Sequence, residues 1–252
     1  MFKNIIITGA SSGLGRALAR GYAAPGSILG LLGRDTARLN ETARICRDLG
    51  AIVHTSAIDV RESFGLMDWI RDFDEKYPVD LIIANAGITY SAKKDKPIEP
   101  RTAIRDVMDT NFTAVIDTVN PLLERMRLRR EGSAVIISSL SAYRGIPLFP
   151  AYSASKAAIK TYYDAIRGGM AEDGVFITVA CPGFIQTPMT EKLRTDKLKQ
   201  LQVDHAASLI IKGVSKRRGL VTFPLLPRLG LWLAGFLPVR LTDRIINRIF
   251  FP

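Results

Sequence analysis

Tyr152 and Lys156 are the residues whose types and spacing point most directly to chemistry. Four residues apart on a helix, they lie on one face, so the ammonium of Lys156 can come close to the phenol of Tyr152. A free phenol has a pKa of about 10, and a nearby cation lowers that pKa toward neutrality. We therefore predict that Tyr152 donates and accepts a proton, although the pair taken alone also fits a solvated surface helix.

Two further polar residues precede this pair. Ser139 follows an apolar run at residues 133–138, and a hydroxyl just beyond the carboxyl end of a strand is placed to hydrogen-bond a substrate oxygen as charge develops on it. Asn111 stands in the middle of a long amphipathic segment, residues 101–130. By its type alone, Asn111 is either an ordinary polar helix residue or a further member of the site.

A glycine-rich segment near the N-terminus is a candidate phosphate site. It reads Thr8-Gly9-Ala10-Ser11-Ser12-Gly13-Leu14-Gly15. Glycines between a strand and a helix let the backbone approach a ligand closely, and the amides at the start of the helix attract a pyrophosphate. The alternative is a tight turn without a ligand, which the strand before it and the helix after it make the weaker interpretation.

Short apolar runs alternate with longer amphipathic ones along the chain. The short runs are residues 4–8, 27–32, 51–56, 79–84, 133–138 and 175–180, and the long ones are residues 13–24, 36–49, 62–77, 101–130 and 151–171. The former have the length of strands and the latter the length of helices. Such alternation predicts one doubly wound α/β domain, a parallel sheet of about seven strands with helices on both faces, because each right-handed crossover places its helix on one face.

In order and spacing these motifs resemble the short-chain dehydrogenase/reductase family. The resemblance covers about residues 3–224 and rests on the Gly-x-x-x-Gly-x-Gly turn, Asn85-Ala86-Gly87, Asn111, Ser139, Tyr152 with Lys156, and Pro182-Gly183 with Thr187. It implies a Rossmann-like fold and an oxidoreductase. Such an enzyme transfers a hydride between a nicotinamide cofactor and a carbonyl compound or secondary alcohol.

The resemblance also implies roles for individual residues. Tyr152 transfers the proton, Lys156 adjusts the pKa of Tyr152 and binds the ribose, and Ser139 orients the substrate oxygen. Asn111 bends its helix and holds a water that relays protons to Lys156. The cofactor-binding set comprises Thr8, Gly9, Ser11, Ser12, Gly13, Leu14, Gly15, Arg34, Asp59, Val60, Asn85, Ala86, Gly87, Tyr152, Lys156, Pro182, Gly183, Ile185 and Thr187.

The residues after the second predicted strand bear on the choice between NADP and NAD. An acidic side chain there accepts from the ribose hydroxyls of NAD, whereas a cation meets the 2′-phosphate of NADP. Gly33 stands where relatives that prefer NAD carry Asp, and Arg34 follows it, so NADP is favoured and NAD stays open; Asp35 is an alternative partner for Arg34. Asp59 either accepts from the adenine amino group or caps the helix that begins near Glu62.

Residues beyond Thr187 resemble the family less, and we expect a substrate lid over about residues 187–215. Apolar residues around this region favour an apolar or amphipathic substrate, such as a lipid or cell-envelope intermediate. They are Leu140, Tyr143, Ile146, Leu148, Phe149 and Met189, and the alternative for most of them is a place in the core. An inactive cofactor-binding or membrane-tethered regulatory protein on the same fold is the alternative to an enzyme.

The formal charge of +11 is concentrated in residues 216–252, which hold seven basic residues and one acidic residue. These charges lie among Leu, Trp and Phe, so no nucleic-acid partner is expected. A second basic group, at the end of the long amphipathic segment, is interpreted as a solvated helix end. It consists of Arg125, Arg127, Arg129 and Arg130.

Residues 225–252 are predicted to form an amphipathic helical extension of the catalytic domain, residues 1–224. The uncharged run 229–239 is shorter than the roughly 20 residues that span a bilayer. One helical face carries Leu241, Ile245, Ile246, Ile249 and Phe250, and the opposite face carries Arg240, Arg244, Asn247 and Arg248. The extension therefore either lies on a membrane surface or packs on the protein itself or on a second subunit.

Cys46 and Cys181 lie in apolar stretches and are expected to be buried free thiols, which points to a reducing compartment. Because the N-terminus lacks the order of segments of a secretory signal, we expect a cytoplasmic protein, peripheral at a membrane if the extension binds one. His54 and His205 are isolated, so no metal site is expected. Helices near residues 101 and 151 resemble those that pair between subunits in the family, which implies a homodimer or homotetramer.

Overall fold

The computed structural model contains a seven-stranded parallel sheet. It describes residues 2–93, 95–191, 200–225, 230, 233 and 237–250. The strands are β1 Asn4–Thr8, β2 Ile28–Leu32, β3 Ile52–Ser56, β4 Leu81–Ala84, β5 Gly132–Ile137, β6 Val175–Pro182 and β7 Leu220–Phe223. Their order in the sheet is β3-β2-β1-β4-β5-β6-β7. The predicted doubly wound α/β fold is confirmed, and β7 is the strand that the pattern of apolar runs did not locate.

The helices follow the strands in alternation. They are α1 Gly13–Tyr22, α2 Thr36–Asp48, α3 Ser63–Lys76, α4 Arg101–Met108, α5 Ala114–Arg129, α6 Pro150–Glu172, α7 Pro188–Glu191, α8 Val203–Ser215 and α9 Val239–Phe250. A π-helical turn, Asp109–Thr113, joins α4 to α5, and a 3-10 turn, Leu140–Ala142, follows β5.

The central strands are buried on both faces of the sheet. In β1, Ile5 and Ile7 pack on the side covered by α1, α2 and α8, whereas Ile6 packs on the side covered by α3, α5 and α6. Because successive side chains of a strand point to opposite faces, strands without polar alternation are what a doubly covered sheet requires. Cys46 and Cys181 are buried free thiols, one in each of these two layers, as expected.

The amphipathic segment at residues 101–130 is interrupted, so the prediction of one continuous helix there was wrong. The π-helical turn between α4 and α5 carries Asn111. Such a turn widens the helix by one residue, and here the side chain of Asn111 is fully buried against the loop after β4. The interruption falls at the residue for which the family resemblance implied a bend.

The arginines at the end of α5 are only in part the solvated group that we expected. The side chain of Asp74 in α3 is fully buried, and its carboxylate accepts hydrogen bonds from Arg125 and, at 2.9 and 3.0 Å, from Arg129. The same carboxylate accepts from the amide of Val79, just before β4, at 2.7 Å. One buried acid therefore connects α3, α5 and the start of β4, while the other two arginines of the group are exposed.

The region predicted as a substrate lid divides into three parts. Residues 187–191 follow β6 and include α7, residues 192–199 lie outside the described residues, and residues 203–215 form α8. Helix α8 packs with α1 against the sheet through Ala206, Ala207 and Ile210, so it belongs to the core of the domain. The assignment of a lid remains a prediction for the residues between Thr187 and α8.

The predicted C-terminal helix is present as α9 and contacts the protein itself. Thr242 and Ile246 are buried, and a guanidinium nitrogen of Arg144 lies 2.7 Å from the carboxylate of Asp243. Residues 226–229, 231, 232 and 234–236 lie outside the described residues and include six of the eleven residues of the uncharged run; the side chains of residues 249 and 250 also lie outside them. Within the described ranges, no helix is long and apolar enough to cross a membrane.

The buried Asp74 generates a stability prediction. Asp74→Asn should lower the free energy of unfolding at pH 7 by about 3 kcal/mol, because two arginines lose their ionic partner. Burial alone raises the pKa of Asp74, but hydrogen bonds from Arg129, Val79 and Arg125 bring that pKa below its usual value. The carboxylate therefore stabilises the fold above the unfolded-state pKa of about 3.9, and this contribution is lost as the pH falls through the folded-state pKa.

Urea unfolding at pH 7 and at pH 3.5 measures both effects, and the difference between wild type and variant should shrink at the lower pH. Asp72→Asn is the matched control, because Asp72 lies on the same helix with its side chain 70% exposed. We expect that control to change the free energy of unfolding by less than about 0.5 kcal/mol. Equal losses in the two variants would show that burial of Asp74 is not the cause.

Candidate active site

A cleft of about 310 Å³ opens at the carboxyl ends of β1, β4, β5 and β6. Ligands of open α/β sheets bind at this edge. The predicted site residues that line the cleft are Gly9, Ser11, Ser12, Gly13, Leu14, Arg34, Asp59, Val60, Asn85, Ala86, Gly87, Ser139, Tyr152, Lys156, Pro182, Gly183, Ile185 and Thr187. The other three predicted residues, Thr8, Gly15 and Asn111, are not part of the lining and contact residues that form it.

The turn between β1 and α1 requires glycine at two positions. Gly9 has a φ of +66°, and a Cβ there would lie 2.9 Å from the Cα of Ala86. A Cβ at Gly15 would lie 2.2 Å from the carbonyl oxygen of Gly9. Without these side chains α1 begins directly against the turn, and Gly13 and Leu14 at its N-terminus line the cleft. A helix N-terminus in this position attracts negative charge.

Thr8 and Asn85 join the ends of β1 and β4. The Thr8 hydroxyl accepts from the amides of Asn85 and Ala86, both at 3.1 Å. The Asn85 side chain donates to the carbonyls of Thr8 and Gly9 at 3.1 and 3.2 Å. These bonds satisfy backbone groups that the ends of the strands leave without partners in the sheet. Thr8 therefore positions the turn rather than lining the cleft.

Asn111 connects the loop after β4 to α6. Its amide group donates to the carbonyl of Ile88 at 2.9 Å and to the hydroxyl of Ser155 at 3.1 Å, and its oxygen accepts from the amide of Ile88 at 2.8 Å. Ser155 in turn donates to the carbonyl of Tyr152 at 2.8 Å. One amide hydrogen of Asn111 thus bonds the loop after β4 and the other bonds α6, so the side chain ties these two segments together. The water relay implied by the resemblance remains a proposal.

Lys156 is almost completely buried, with 4% of its surface exposed. Its ammonium donates to the carbonyl of Ile137, the last residue of β5, at 2.8 Å. A Cβ added at Gly87 would lie 3.5 Å from this ammonium and 3.1 Å from Oδ1 of Asn111, so the three residues meet at one point of the site. Burial lowers the pKa of Lys156 to about 8.

Tyr152 and Ser139 both line the cleft, and the ammonium of Lys156 lies 5.7 Å from the centroid of the Tyr152 ring. Burial raises the pKa of Tyr152, and Ser139 offsets only part of that rise. The predicted lowering of this pKa was therefore wrong, because burial of the phenol raises its pKa by more than its polar neighbours lower it. The phenol keeps its proton at neutral pH.

Asp59 is held by two arginines at the rim of the cleft. Its carboxylate lies 2.7 Å from the guanidinium of Arg61 and 3.6 Å from that of Arg34, and hydrogen bonds from Arg61 lower the pKa of Asp59 to about 2. The carboxylate also accepts from the Arg61 amide at 3.0 Å. The carboxylate of Asp59 thus bonds a backbone amide in the turn before α3, and the N-cap of α3 is Glu62. The interpretation of Asp59 as the cap of this helix was therefore wrong. A role at the adenine remains a proposal.

Asp35 pairs with Arg38 and not with Arg34. It is the N-cap of α2, where its carboxylate accepts from the Arg38 amide at 2.9 Å and from the Arg38 guanidinium at 2.6 Å. Arg38 thereby lines the cleft, although our sequence reasoning missed it. The spacing of an N-cap Asp and an Arg three residues later is the signal that would have indicated it.

Glu99 is a second residue that the sequence did not indicate. It is 4% exposed, and one carboxylate oxygen accepts from the amide of Ala151, next to Tyr152, at 2.9 Å. Its other oxygen is buried without a hydrogen-bond partner among the described residues. Burial raises the pKa of Glu99. A carboxylate at a helix N-terminus is favourable, so Glu99 positions the first turn of α6; 52 residues separate it from Ala151, which is why no local pattern shows it.

The sheet, the glycine turn and the cleft define a doubly wound α/β protein. Its cleft lies at the carboxyl edge of the sheet, where proteins of this class bind nucleotides. A family model described as short chain dehydrogenase matches residues 3–198. The chain belongs to the short-chain dehydrogenase family and is thus an oxidoreductase by family.

The relatives cover nearly the whole chain. An uncharacterised oxidoreductase of Myxococcus xanthus is 32% identical over 251 residues, which are 98% of this chain and 98% of the relative. The 11-beta-hydroxysteroid dehydrogenase 1A of Arabidopsis thaliana is 32% identical over 244 residues, 88% of this chain and 68% of the relative. A short-chain dehydrogenase from Sphingobium yanoikuyae, solved in complex with NADPH, has the same fold, with a TM-score of 0.80 and 23% identity over 88% of each chain.

The family uses a nicotinamide dinucleotide, and the residues of the cleft fit such a group. Gly9 and Gly13 have positive φ angles of 66° and 51° and leave the backbone accessible. At the other end, Arg34 and Arg38 line the cleft beside Gly33, where a Cβ would lie 3.2 Å from the side chain of Ser11. Close backbone approach and cationic side chains are what a dinucleotide requires.

The close contact at Gly15 generates a prediction about ligand binding. In Gly15→Ala the new Cβ would lie 2.2 Å from the carbonyl oxygen of Gly9, so α1 must shift away from the turn. We expect the affinity for NADPH, measured by its fluorescence, to fall at least about tenfold and the protein to lose about 1–3 kcal/mol of stability.

Gly65→Ala is the matched control, because Gly65 lies in α3 and a Cβ there has no atom within 4 Å. This variant should bind NADPH as wild type does and gain about 0.5–1 kcal/mol from its better helix propensity. Unchanged NADPH affinity in Gly15→Ala would contradict the assignment of the turn.

Proposed function

We propose that the protein is an NADP(H)-dependent oxidoreductase that acts on a carbonyl compound or secondary alcohol, with Tyr152 as the general acid and base. The observation that carries the proposal is the meeting of Tyr152, Ser139 and Lys156 in one cleft at the carboxyl edge of the sheet. When bound, the cofactor supplies or accepts the hydride. The residues of the chain bind and orient the reactants and move the proton.

In the direction of reduction, Tyr152 donates its proton to the substrate oxygen. The raised pKa of its phenol supports this role, because the proton is in place at neutral pH. The Ser139 hydroxyl donates to the same oxygen and stabilises the charge that develops there. Lys156, with a pKa of about 8, is mostly protonated at pH 7 and stabilises the phenolate that remains. Asn111 completes the relay by holding a water near Lys156.

The preference for NADP rests on the charges around Gly33. Arg34, Arg38 and Arg61 outnumber Asp35 and Asp59 there, and each acid is already paired with an arginine. A net positive rim favours the 2′-phosphate of NADP over the bare ribose of NAD. The NADPH bound to the Sphingobium relative in its solved structure supports the same choice.

An apolar or amphipathic carbonyl compound is the substrate class that we propose. Met189 lines the cleft with 37% of its surface exposed, on the side after β6 where the substrate enters in this scheme. The Arabidopsis relative is named for a steroid, which is a compound of this class. A homodimer or homotetramer, the domain limits 1–224 and 225–252, and a cytoplasmic location complete the proposal.

The proposed role of Tyr152 is tested by removing a single oxygen atom. Tyr152→Phe should reduce the turnover of a panel of ketones with NADPH by at least about a hundredfold, because no other group replaces the general acid. The dissociation constant of NADPH should stay within about twofold. Steady-state kinetics and cofactor fluorescence measure the two quantities separately.

Tyr162→Phe is the control on the same helix. Its hydroxyl contacts Asn120 at 2.7 Å and does not line the cleft, so turnover should be retained. Undiminished turnover in Tyr152→Phe would sink the mechanism. If the wild-type protein binds NADPH but turns over no ketone or alcohol of the panel, the inactive regulatory alternative replaces the enzyme.

The cofactor preference is tested at Arg34. Arg34→Ala should weaken NADPH binding about tenfold and leave NADH binding nearly unchanged, since a charged hydrogen bond to a phosphate contributes about 1.5–3 kcal/mol. Arg44→Ala is the control, because Arg44 lies on α2 and pairs only with Asp48 among the described residues. Parallel titrations with both cofactors give the ratio. A loss of the same size for NADH would mean that Arg34 does not select NADP.

A further inference from the structure

We propose that the outer face of α9 binds an anionic lipid bilayer by lying in its interface. The helix rests on the protein along one side only. Thr242 and Ile246, four residues apart, are 1% and 9% exposed, and Arg144 holds the helix through the carboxylate of Asp243 and, at 3.3 Å, the hydroxyl of Thr242. The other side chains of residues 239–248 are exposed.

The outer surface of α9 carries an apolar strip. Leu241 and Ile245 are 43% and 46% exposed, and their spacing places them next to each other on the helix. Leu237 and Val239, which lead into the helix, are 43% and 64% exposed. Single exposed leucines are ordinary, but four large apolar side chains within nine residues form a patch of the kind that marks an interaction surface.

The same surface is cationic. Arg240, Arg244 and Arg248 recur every four residues, all three are exposed, and none forms an ion pair within the part of the chain that the structure describes. Asp243, the only acidic residue of residues 216–252, is already paired with Arg144. An amphipathic helix with leucine or isoleucine beside unpaired arginines is typical of helices that lie at an anionic membrane surface.

Other occupants fit this face less well. A symmetric contact with a second copy through α9 would bring the three arginines of each copy together, and like charges repel. A nucleic acid would pair with the arginines but would leave Leu241 and Ile245 in water. An anionic bilayer satisfies both features, because its headgroups take the arginines and its acyl boundary takes the apolar strip.

The position of α9 gives this surface a use that rests on the proposed function. Arg144 belongs to the loop between Ser139 and Tyr152, so the helix is bound to the segment that joins two of the proposed catalytic residues. A protein that lies on a bilayer through α9 holds this loop near the lipid. An amphipathic substrate would then reach the cleft from the membrane.

The test is cosedimentation with vesicles at 150 mM salt. The purified full-length protein should bind vesicles of phosphatidylcholine with about 30% phosphatidylglycerol at least tenfold more tightly than vesicles of phosphatidylcholine alone. The triple variant R240Q/R244Q/R248Q should lose roughly a hundredfold in partitioning, since each cation near an anionic surface contributes about a factor of five. The double variant L241Q/I245Q should lose at least about tenfold.

Two control variants match these changes elsewhere on the surface. R44Q/R71Q/R105Q removes three exposed arginines from α2, α3 and α4, and I98Q/L128Q replaces two side chains that are 85% and 81% exposed. Both controls should bind vesicles as wild type does. NADPH fluorescence should be the same in all variants, which shows that each one folds.

Three results would overturn the proposal: no preference for anionic vesicles, equal losses in the control and α9 variants, or a change of oligomeric state in place of a loss of lipid binding. Analytical ultracentrifugation without lipid identifies the last of these. Vesicle binding needs no turnover and NADPH binding needs no vesicle, so this proposal and the proposed function can fail independently.

Discussion

The burial of the Lys156 ammonium at the carboxyl edge of the sheet is the constraint on which the site depends. A cation removed from water is costly unless oxygen atoms surround it. The carbonyl of Ile137 supplies one at the end of β5, and the backbone of Lys156 is itself fixed by the hydroxyl of Ser138 at 2.8 Å. The elements that place oxygen atoms around the ammonium must end at the same edge of the sheet. The parallel pairing of β1 with β4 and of β4 with β5 aligns their carboxyl ends at this edge. Burial lowers the pKa of the ammonium, and the burial of Tyr152 beside it raises the pKa of the phenol.

The elements of the fold were predictable where their cause is local. The apolar run at residues 4–8 coincides with β1, because a strand covered on both faces needs only a continuous run of branched apolar residues. The bend at Asn111 was predicted only through the family resemblance, and the bounds of the π-helical turn, Asp109–Thr113, were not predictable from the pattern of residues. The turn exists because Asn111 bonds both backbone groups of Ile88, a contact made only after β4 and α5 have packed. The ion pairs of Arg125 and Arg129 were not predictable for the same reason, since their partner Asp74 lies about fifty residues earlier, on another helix.

The residues of the candidate site also divide into those that a local motif predicts and those that depend on contacts between distant segments. Residues whose position follows from a motif, such as the glycines of the first turn and Tyr152, lie in the cleft where the spacing placed them. Glu99 and Arg38 were not predicted because their roles depend on contacts in the folded protein. Glu99 accepts from the amide of Ala151, next to Tyr152, and Arg38 bonds the N-cap Asp35. The direction of the Tyr152 pKa was wrong because a sequence shows which charges are near but not how much water is removed.

The side of the cleft formed by the loop after β5 is held by fewer close contacts than the side formed by the glycine turn after β1. In the first turn, backbone contacts leave no room for a Cβ, so little variation is tolerated. The loop that joins Ser139 to α6 is held instead by single bonds from separate segments: the amide of Ala92 donates to the carbonyl of Leu148 at 2.8 Å, and Arg144 binds α9 at 2.7 Å. Each of these segments lies outside the sheet and can change without disturbing it. Under the proposed function, substrate specificity and the proposed attachment of α9 to a membrane would vary together through this loop, while the proposed sites for the cofactor and the proton would stay fixed.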